Sequence, residues 1–380
     1  MQSNLYLSKK GWCIGYAHGS TIVDVAGNNF HDGVWLTELF CPWCKTTDHG
    51  KGDVCVRISR SDKAANDLDR TFGLTRSEML RVPCFTLDTQ TVILPGWKDA
   101  DRLWLADTEA HCFYGITYHA KSIDLVAGTN QPQARLGLLR LIRELIAGVV
   151  LSTKKVVDMH AAAFSVNGKG VLLAGSKGAG KTSLLCHVMG STSAALLSND
   201  RVFVHFEDTI PILRGVPTMV SIRPKTLDVF PILRTPCGSV RSAHKAKSSS
   251  PPGLHLTPAE FAGRLSSGRV SSAVLHAIVL PEISDSLDTW SLELLSHSAA
   301  ETLLESCLYG AANVRTETTV FGTFLREGGT TGLLPPKQVA HFLPNIPVYR
   351  CKLGPSAYRE SALPLLHALG IQETVNDNQR

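Results

Sequence analysis

Eight residues, Gly175-Ser-Lys-Gly-Ala-Gly-Lys181-Thr182, satisfy the pattern G-x-x-x-x-G-K-[ST] at every fixed position. Glycines at these places let successive backbone N–H groups turn inward as an anion nest, and a helix starting at Lys181 adds positive potential. A lysine so placed reaches β- and γ-phosphates, and the hydroxyl that follows it holds Mg²⁺. The pattern carries weight only between a buried strand and a helix. Both flanks are legible. Gly170-Val-Leu-Leu-Ala174 is a short apolar run, and Thr182 to Met189 continues without Gly or Pro, with Leu184, Leu185 and Val188 on one helical face. The stretch predicts a nucleoside-triphosphate site, with Gly175, Ser176, Lys177, Gly178, Ala179, Gly180, Lys181, Thr182 and Ser183 as the binding residues.

The elements that must position this loop lie on both sides of it. Residues 132–151 give the clearest helix in the chain. Pro132 suits a first turn, and Leu136, Leu139, Ile142, Ile146 and Val149 recur on a face fit to pack on a sheet. Next come the run Asp158 to Val166, the dipeptide Asn167-Gly168 and the strand into the loop. Asn-Gly between apolar runs signals a hairpin, so an antiparallel pair is predicted to feed the loop. Beyond the loop helix, Ala194 to Leu197 reads as a strand ending in Ser198-Asn199-Asp200, with another strand from Arg201 to Phe206. An acid at the end of an apolar strand is where a second Mg²⁺ ligand is expected, a capping Asp being the other reading, so the metal is expected at Thr182 and Asp200. Arg214, Arg223 and Lys225 are candidates to clamp a transferred phosphate. Residues 236–253 are rich in Ser, Gly and Pro, carry Arg241, Lys245 and Lys247, and read as a mobile basic loop. The last third offers strands at 274–281 and 348–353 and helices at 298–309 and 357–369.

Residues 1–130 form a strand-rich region of scaffold or substrate-presenting character. Short runs are predicted at 11–16, 21–25, 54–59, 91–94, 102–106 and 111–118, with one helix at 64–72. Within it Cys41-Pro-Trp-Cys44, His49 and Cys55 follow a spacing one residue away from a zinc knuckle. A zinc set, a redox pair and plain buried thiols are all open readings of these residues.

At 380 residues the chain has room for two domains, divided at about 130/131, and its composition is that of an ordinary globular α/β protein. A net charge of +5 without an aromatic-studded basic stripe disfavours nucleic acid as a partner. No signal peptide is expected. The most apolar helix carries Arg140, Arg143 and Glu144, so no membrane span is expected either. Ten scattered cysteines beside a triphosphate loop point to a reducing, cytoplasmic setting.

Taken in order, His160, a turn, the loop and its helix, Asn199-Asp200-Arg-Val, Arg214-Gly215 and Ile-Arg223-Pro resemble the HPr kinase/phosphorylase family over about a third of the chain. The resemblance implies a P-loop kinase core of the HPr-kinase/phosphoenolpyruvate-carboxykinase type. It also implies transfer of the γ-phosphate of ATP to a serine hydroxyl, with Mg²⁺. Lys181 and the loop amides would hold the phosphates, and His160, Lys181, Asp200 and Arg223 would be catalytic. This chain departs from the family at Asn199, where relatives carry the acidic residue taken as the base. An amide cannot accept that proton at neutral pH. The base is then Asp200 or His160, or positioning alone suffices. Relatives that tailor ribosomal peptides, lasso-peptide precursors among them, point to a peptide or small-protein acceptor, with homo-oligomerisation open. Two further readings stand beside a Ser/Thr kinase: a nucleotide-binding, peptide-recognising module of little transferase activity, and a kinase of free serine or a sugar.

Overall fold

The computed structural model describes residues 6–8, 11–18, 21–47, 50, 52–75, 78–87, 90–153, 156–235, 253–308, 319–324 and 346–373. His49, the basic loop at 236–253 apart from Gly253, and residues 374–380 lie outside them. The chain is mixed α/β, built on two large sheets. It divides into two compact units, residues 1–154 with 312–333 and residues 155–311 with 334–380. No helix among the described residues is long and apolar enough to cross a membrane.

The first unit contains strands β1 (Tyr6–Ser8), β2 (Gly11–His18), β3 (Thr21–Gly27), β4 (Lys45–Thr47), β5 (Val54–Arg60), β6 (Leu80–Leu87), β7 (Gln90–Asp99), β8 (Arg102–Asp107), β9 (Cys112–Thr117) and β10 (Ser122–Ala127). Their order is β1-β2-β3-β5-β10-β9-β8-β7-β6, with β4 on β2. Helices α1 (Phe30–Phe40), α2 (Asp62–Leu74) and α3 (Ala134–Thr153) accompany the sheet. Helix α1 escaped the sequence reading because Gly27, Asn28 and Gly33 suggest turns. Asn29 instead caps it by accepting from His31 N–H, and Trp35, Leu36, Leu39 and Phe40 form its buried side. Strands β6 and β10 also went unread.

The helix expected at 132–151 is α3, but it belongs to this first unit, so the division falls at 154/155 rather than 130/131. Its polar residues explain the attachment. Arg135 and Arg60 both bond the buried Asp32 (2.9 and 2.7 Å), and Glu144 accepts from Thr86 and Thr319 (3.2 and 2.7 Å). A buried carboxylate is tolerable only with partners of this kind.

The register of the sheet also settles the cysteine cluster. Tyr16, beside Cys41 and Cys44, and its partner Val23 face one side, whereas Cys55 pairs opposite Asp24 and so faces the other. Cys41, Cys44 and Cys55 therefore do not converge on one ion. Among the described residues no group of three or more His, Cys, Asp or Glu is placed to hold a metal. Cys41 and Cys44 are not joined in a disulfide, and the Cys41 thiol donates to the Cys44 carbonyl (3.6 Å).

The second unit contains β11 (Val156–Val166), β12 (Lys169–Ala174), α4 (Lys181–Ser191), β13 (Ala195–Ser198), β14 (Arg201–Glu207), β15 (Ile210–Val216), β16 (Val220–Ile222), α5 (Pro224–Val229), β17 (Leu254–Leu256), α6 (Pro258–Arg264), β18 (Ser272–Ile283), β19 (Trp290–Leu294), α7 (His297–Glu305) and β20 (Val348–Leu353). The main sheet runs β12-β11-β14-β15-β18-β20-β19, and β12 also pairs with β18, so five of its strands close on themselves. One face carries Met159, Ala161, Leu172, Val202, Leu213, Leu275 and Ile278, which bury the apolar side of α7 through Ala300 and Leu304. The single closing helix expected at 357–369 is two pieces, a 3-10 turn at Pro355–Arg359 and a helix at Leu363–Ala368. Pro364 lacks the N–H an interior position needs and sits in the first turn of the second piece.

Candidate active site

The hairpin before the loop forms as its sequence dictates. Asn167 and Gly168 take φ of 52° and 80°, the left-handed pair of a type I′ turn, and Val166 faces Lys169 across it. Strand β12 then runs between β11, antiparallel, and β18, parallel, and stops at Ala174. Held on both edges, it gives the loop a fixed base.

Gly175, Gly178 and Gly180 have φ of 149°, 99° and 107°, values that L side chains rarely adopt. At Gly180 space matters as well, since a Cβ there would come 3.2 Å from Ile283 Cγ1. Gly180 leads directly into α4, whose first residue, Lys181, is buried apart from its reach over the loop. Its Nζ donates to the carbonyls of Gly175 (2.5 Å) and Ser176 (3.2 Å). Ser176, Lys177 and Gly178 are exposed at the rim.

A cross-strand row brings the other predicted residues to the same end of the sheet. Ala174, the last residue before the loop, faces Ala161, and Ala161 N–H donates to the carbonyl of Asp200 (3.0 Å). Two strand spacings therefore separate the loop's first residue from Asp200, about 10 Å of backbone. Asp200 stands at a bend between β13 and β14, and its Oδ1 lies 3.4 Å from His160 Nδ1. The His160 N–H bonds the carbonyl of Cys307, whose thiol takes the N–H of Gly175 and feels the charge of Lys181. Burial raises that thiol's pKa more than these contacts lower it. His160 is thus tied backbone to backbone to the residue beneath the glycine-rich loop.

Asn199, beside Asp200, is a strut. Its Oδ1 accepts from the Thr218 hydroxyl (2.9 Å) and its amide donates to the carbonyl of Met219 (3.4 Å). Arg201, on the other side, is fully buried and grips Asp158 through Nε (2.9 Å) and Nη2 (2.5 Å), with Phe203 stacked below. Neither role was read from the sequence, because both depend on residues brought together by strand register.

The three candidate clamping cations separate cleanly. Arg223 Nη1 lies 3.6 Å from where a Cβ on Gly178 would stand, so its guanidinium flanks the loop. It precedes α5, which is tied to α4 by a hydroxyl pair, Ser183 with Thr226 (3.3 Å). Ser183, predicted as a nucleotide contact, holds this bond. Arg214 is not brought to the loop. It lies on β15 opposite Phe203, three residues along the strand from the level of Asp200, and pairs with Glu207 (3.2 Å). Lys225 is exposed on α5.

Behind the loop, α4 carries a buried titratable group. His187 packs edge-on against Tyr358, and burial lowers its pKa from the ordinary 6.5 to about 4. The folded protein therefore holds it neutral where the unfolded chain protonates it. Stability is expected to be complete above pH 6.5 and to fall as pH drops toward 4, because the unfolded state binds more protons in that window. Thermal melts of wild type and His187→Phe across this range check it: the variant's curve should be the flatter, and parallel curves would exclude His187 as the cause.

No protein-family model matches the chain, and no curated protein is similar to it.

Proposed function

We propose that the second unit is a P-loop kinase core that transfers the γ-phosphate of ATP to a Ser or Thr hydroxyl of a peptide or small protein. What supports this reading is one convergence: the left-handed glycines of the loop, Lys181, Arg223 and the His160–Asp200 pair meet at one end of one sheet. In this reading the loop amides and Lys181 hold the β- and γ-phosphates. Arg223, flanking Gly178, offsets charge on the transferred group. The acceptor oxygen bonds to phosphorus as ADP leaves, and the hydroxyl proton passes to the Asp200–His160 pair.

The residues present suit Mg²⁺, since Thr182 and Asp200 offer hard oxygen donors beside the loop. Bound there, the ion would neutralise charge on the β- and γ-phosphates. The chain's own part is positioning and electrostatics, which dominate phosphoryl transfer.

A second reading, a nucleotide-binding module of little transferase activity, draws on Asn199, an amide engaged by Thr218 and Met219 where relatives of the suggested kind carry an acid. Two measurements decide between them. The first is transfer from γ-labelled ATP with Mg²⁺ into protein, peptide and small-molecule fractions of source-cell extract, with Lys181→Ala as control. Label in the peptide or protein fraction supports the kinase, and label only in small molecules favours a free-serine or sugar kinase. The second is Asn199→Asp. As a strut, Asn199 is expected to yield no gain on substitution, and a loss of up to about tenfold, because a carboxylate cannot donate to Met219. A gain of tenfold or more would show that the native chain lacks its base and would favour the binding module.

A further inference from the structure

Resting on the nucleotide reading above, the geometry points to Ile283 as the platform on which the base of the bound nucleotide lies. Ile283 ends β18, the strand parallel to β12, so its position beside the loop follows from the sheet. Parallel neighbours end on the same side of a sheet, so the carboxyl ends of β12 and β18 lie together. Here β12 ends in the loop and β18 ends at Ile283.

Two contacts give the loop a direction. The guanidinium of Arg223 flanks Gly178, in mid-loop, while the side chain of Ile283 lies against Gly180, at the start of α4. The amides where such a loop enters its helix hold the α- and β-phosphates. The nucleoside hangs from the α-phosphate and must leave the loop on that side, toward Ile283, with the γ-phosphate toward Arg223. The charged flank thus serves the reacting end and the apolar flank the base.

The exposure of Ile283 fits the same role. The strand is buried as far as Pro281, with Val279 at 1% and Leu280 at 7%, and its last two residues emerge, Glu282 and Ile283, the latter 54% exposed. It is no isolated surface aliphatic. In register it faces Leu353, itself only 1% exposed, and Leu353 faces Trp290, so the exposed side chain of Ile283 is backed by packed apolar neighbours. A flat heteroaromatic base covers the exposed face of Ile283 without needing a hydrogen-bonding partner, so the platform supplies affinity without choosing among bases.

The test separates base from phosphates. The full chain is titrated calorimetrically with ATP and with inorganic tripolyphosphate, each with Mg²⁺, as wild type, Ile283→Ala and Lys181→Ala. Ile283→Ala is expected to weaken ATP about tenfold, the loss of one aliphatic contact face, and to leave tripolyphosphate within about twofold. Lys181→Ala should weaken both. Unchanged ATP affinity in Ile283→Ala would overturn the platform. So would an equal loss for tripolyphosphate, which would make Ile283 a prop for Gly180. Failure of the wild type to bind either compound would instead overturn the nucleotide reading itself, and the platform with it.

Discussion

Lys181→Ala is expected to lower phosphoryl transfer at least about a thousandfold in kcat/KM, some 4 kcal/mol of transition-state stabilisation. The size follows from position. Lys181 is the cation rooted at the start of α4, with its ammonium held over the loop by Gly175 and Ser176. In a loose transition state the charge sits on phosphoryl oxygens, and a preorganised cation there acts with little competition from water. The same change should remove the rise in melting temperature that ATP gives the wild type, because stabilisation by a ligand vanishes with its affinity. Steady-state kinetics and melts with and without ATP measure both. Transfer within tenfold of wild type, in a variant that still folds, would remove the loop from the mechanism.

Arg201→Met should be the most destabilising single change near the site. Arg201 is 1% exposed and Asp158 5%, and the pair is bidentate between β14 and β11. Removing the guanidinium leaves the carboxylate buried and unpaired, which costs about 3–5 kcal/mol. For a domain of this size that is a drop of roughly 10 °C or more in melting temperature. Replacing both residues, as Asp158→Asn with Arg201→Met, should recover a large part of it, since an apolar or neutral pair is often no worse than a buried ion pair. Chemical denaturation of the two single variants and the double variant gives the coupling. Additive losses would show that the pair does not act as a unit. His160 faces Arg201 across the strands and Asp200 adjoins it, so a loosened clamp should lower activity before the fold is lost.

What could be read in advance was short in range. The loop, its helix, the Asn167-Gly168 turn and Asp200 at a strand end are each written in fewer than a dozen neighbouring residues. Their physical causes, left-handed glycines and apolar periodicity, are local too. The clamp between Arg201 and Asp158 was not legible, because 43 positions separate the partners and only register unites them. Arg214 and Arg223 looked alike in sequence. One pairs with Glu207 and the other reaches Gly178, a difference made by the path of the chain after β15. The alternation Val54, Val56, Ile58 already put Cys55 on the opposite face from its apolar neighbours. What was missing was that α1 carries Cys41 to the apolar side. Helix α3 shows the same limit, since its apolar face fitted any sheet and its charged residues chose one.

The joined ends of the second sheet bear on how many strand edges this unit offers to another chain. An unpaired strand edge is a template on which another chain can add itself, and aggregation and fibril growth begin there. With β12 bonded to β18, and the outer side of β13 met by Gly268 and Val270, the main sheet of the described residues ends only at β19. That edge is five residues long and carries Glu293, paired with Arg350. A short strand carrying a charge is a poor template, so the closure that steadies the glycine-rich loop also leaves little edge for a second chain to copy.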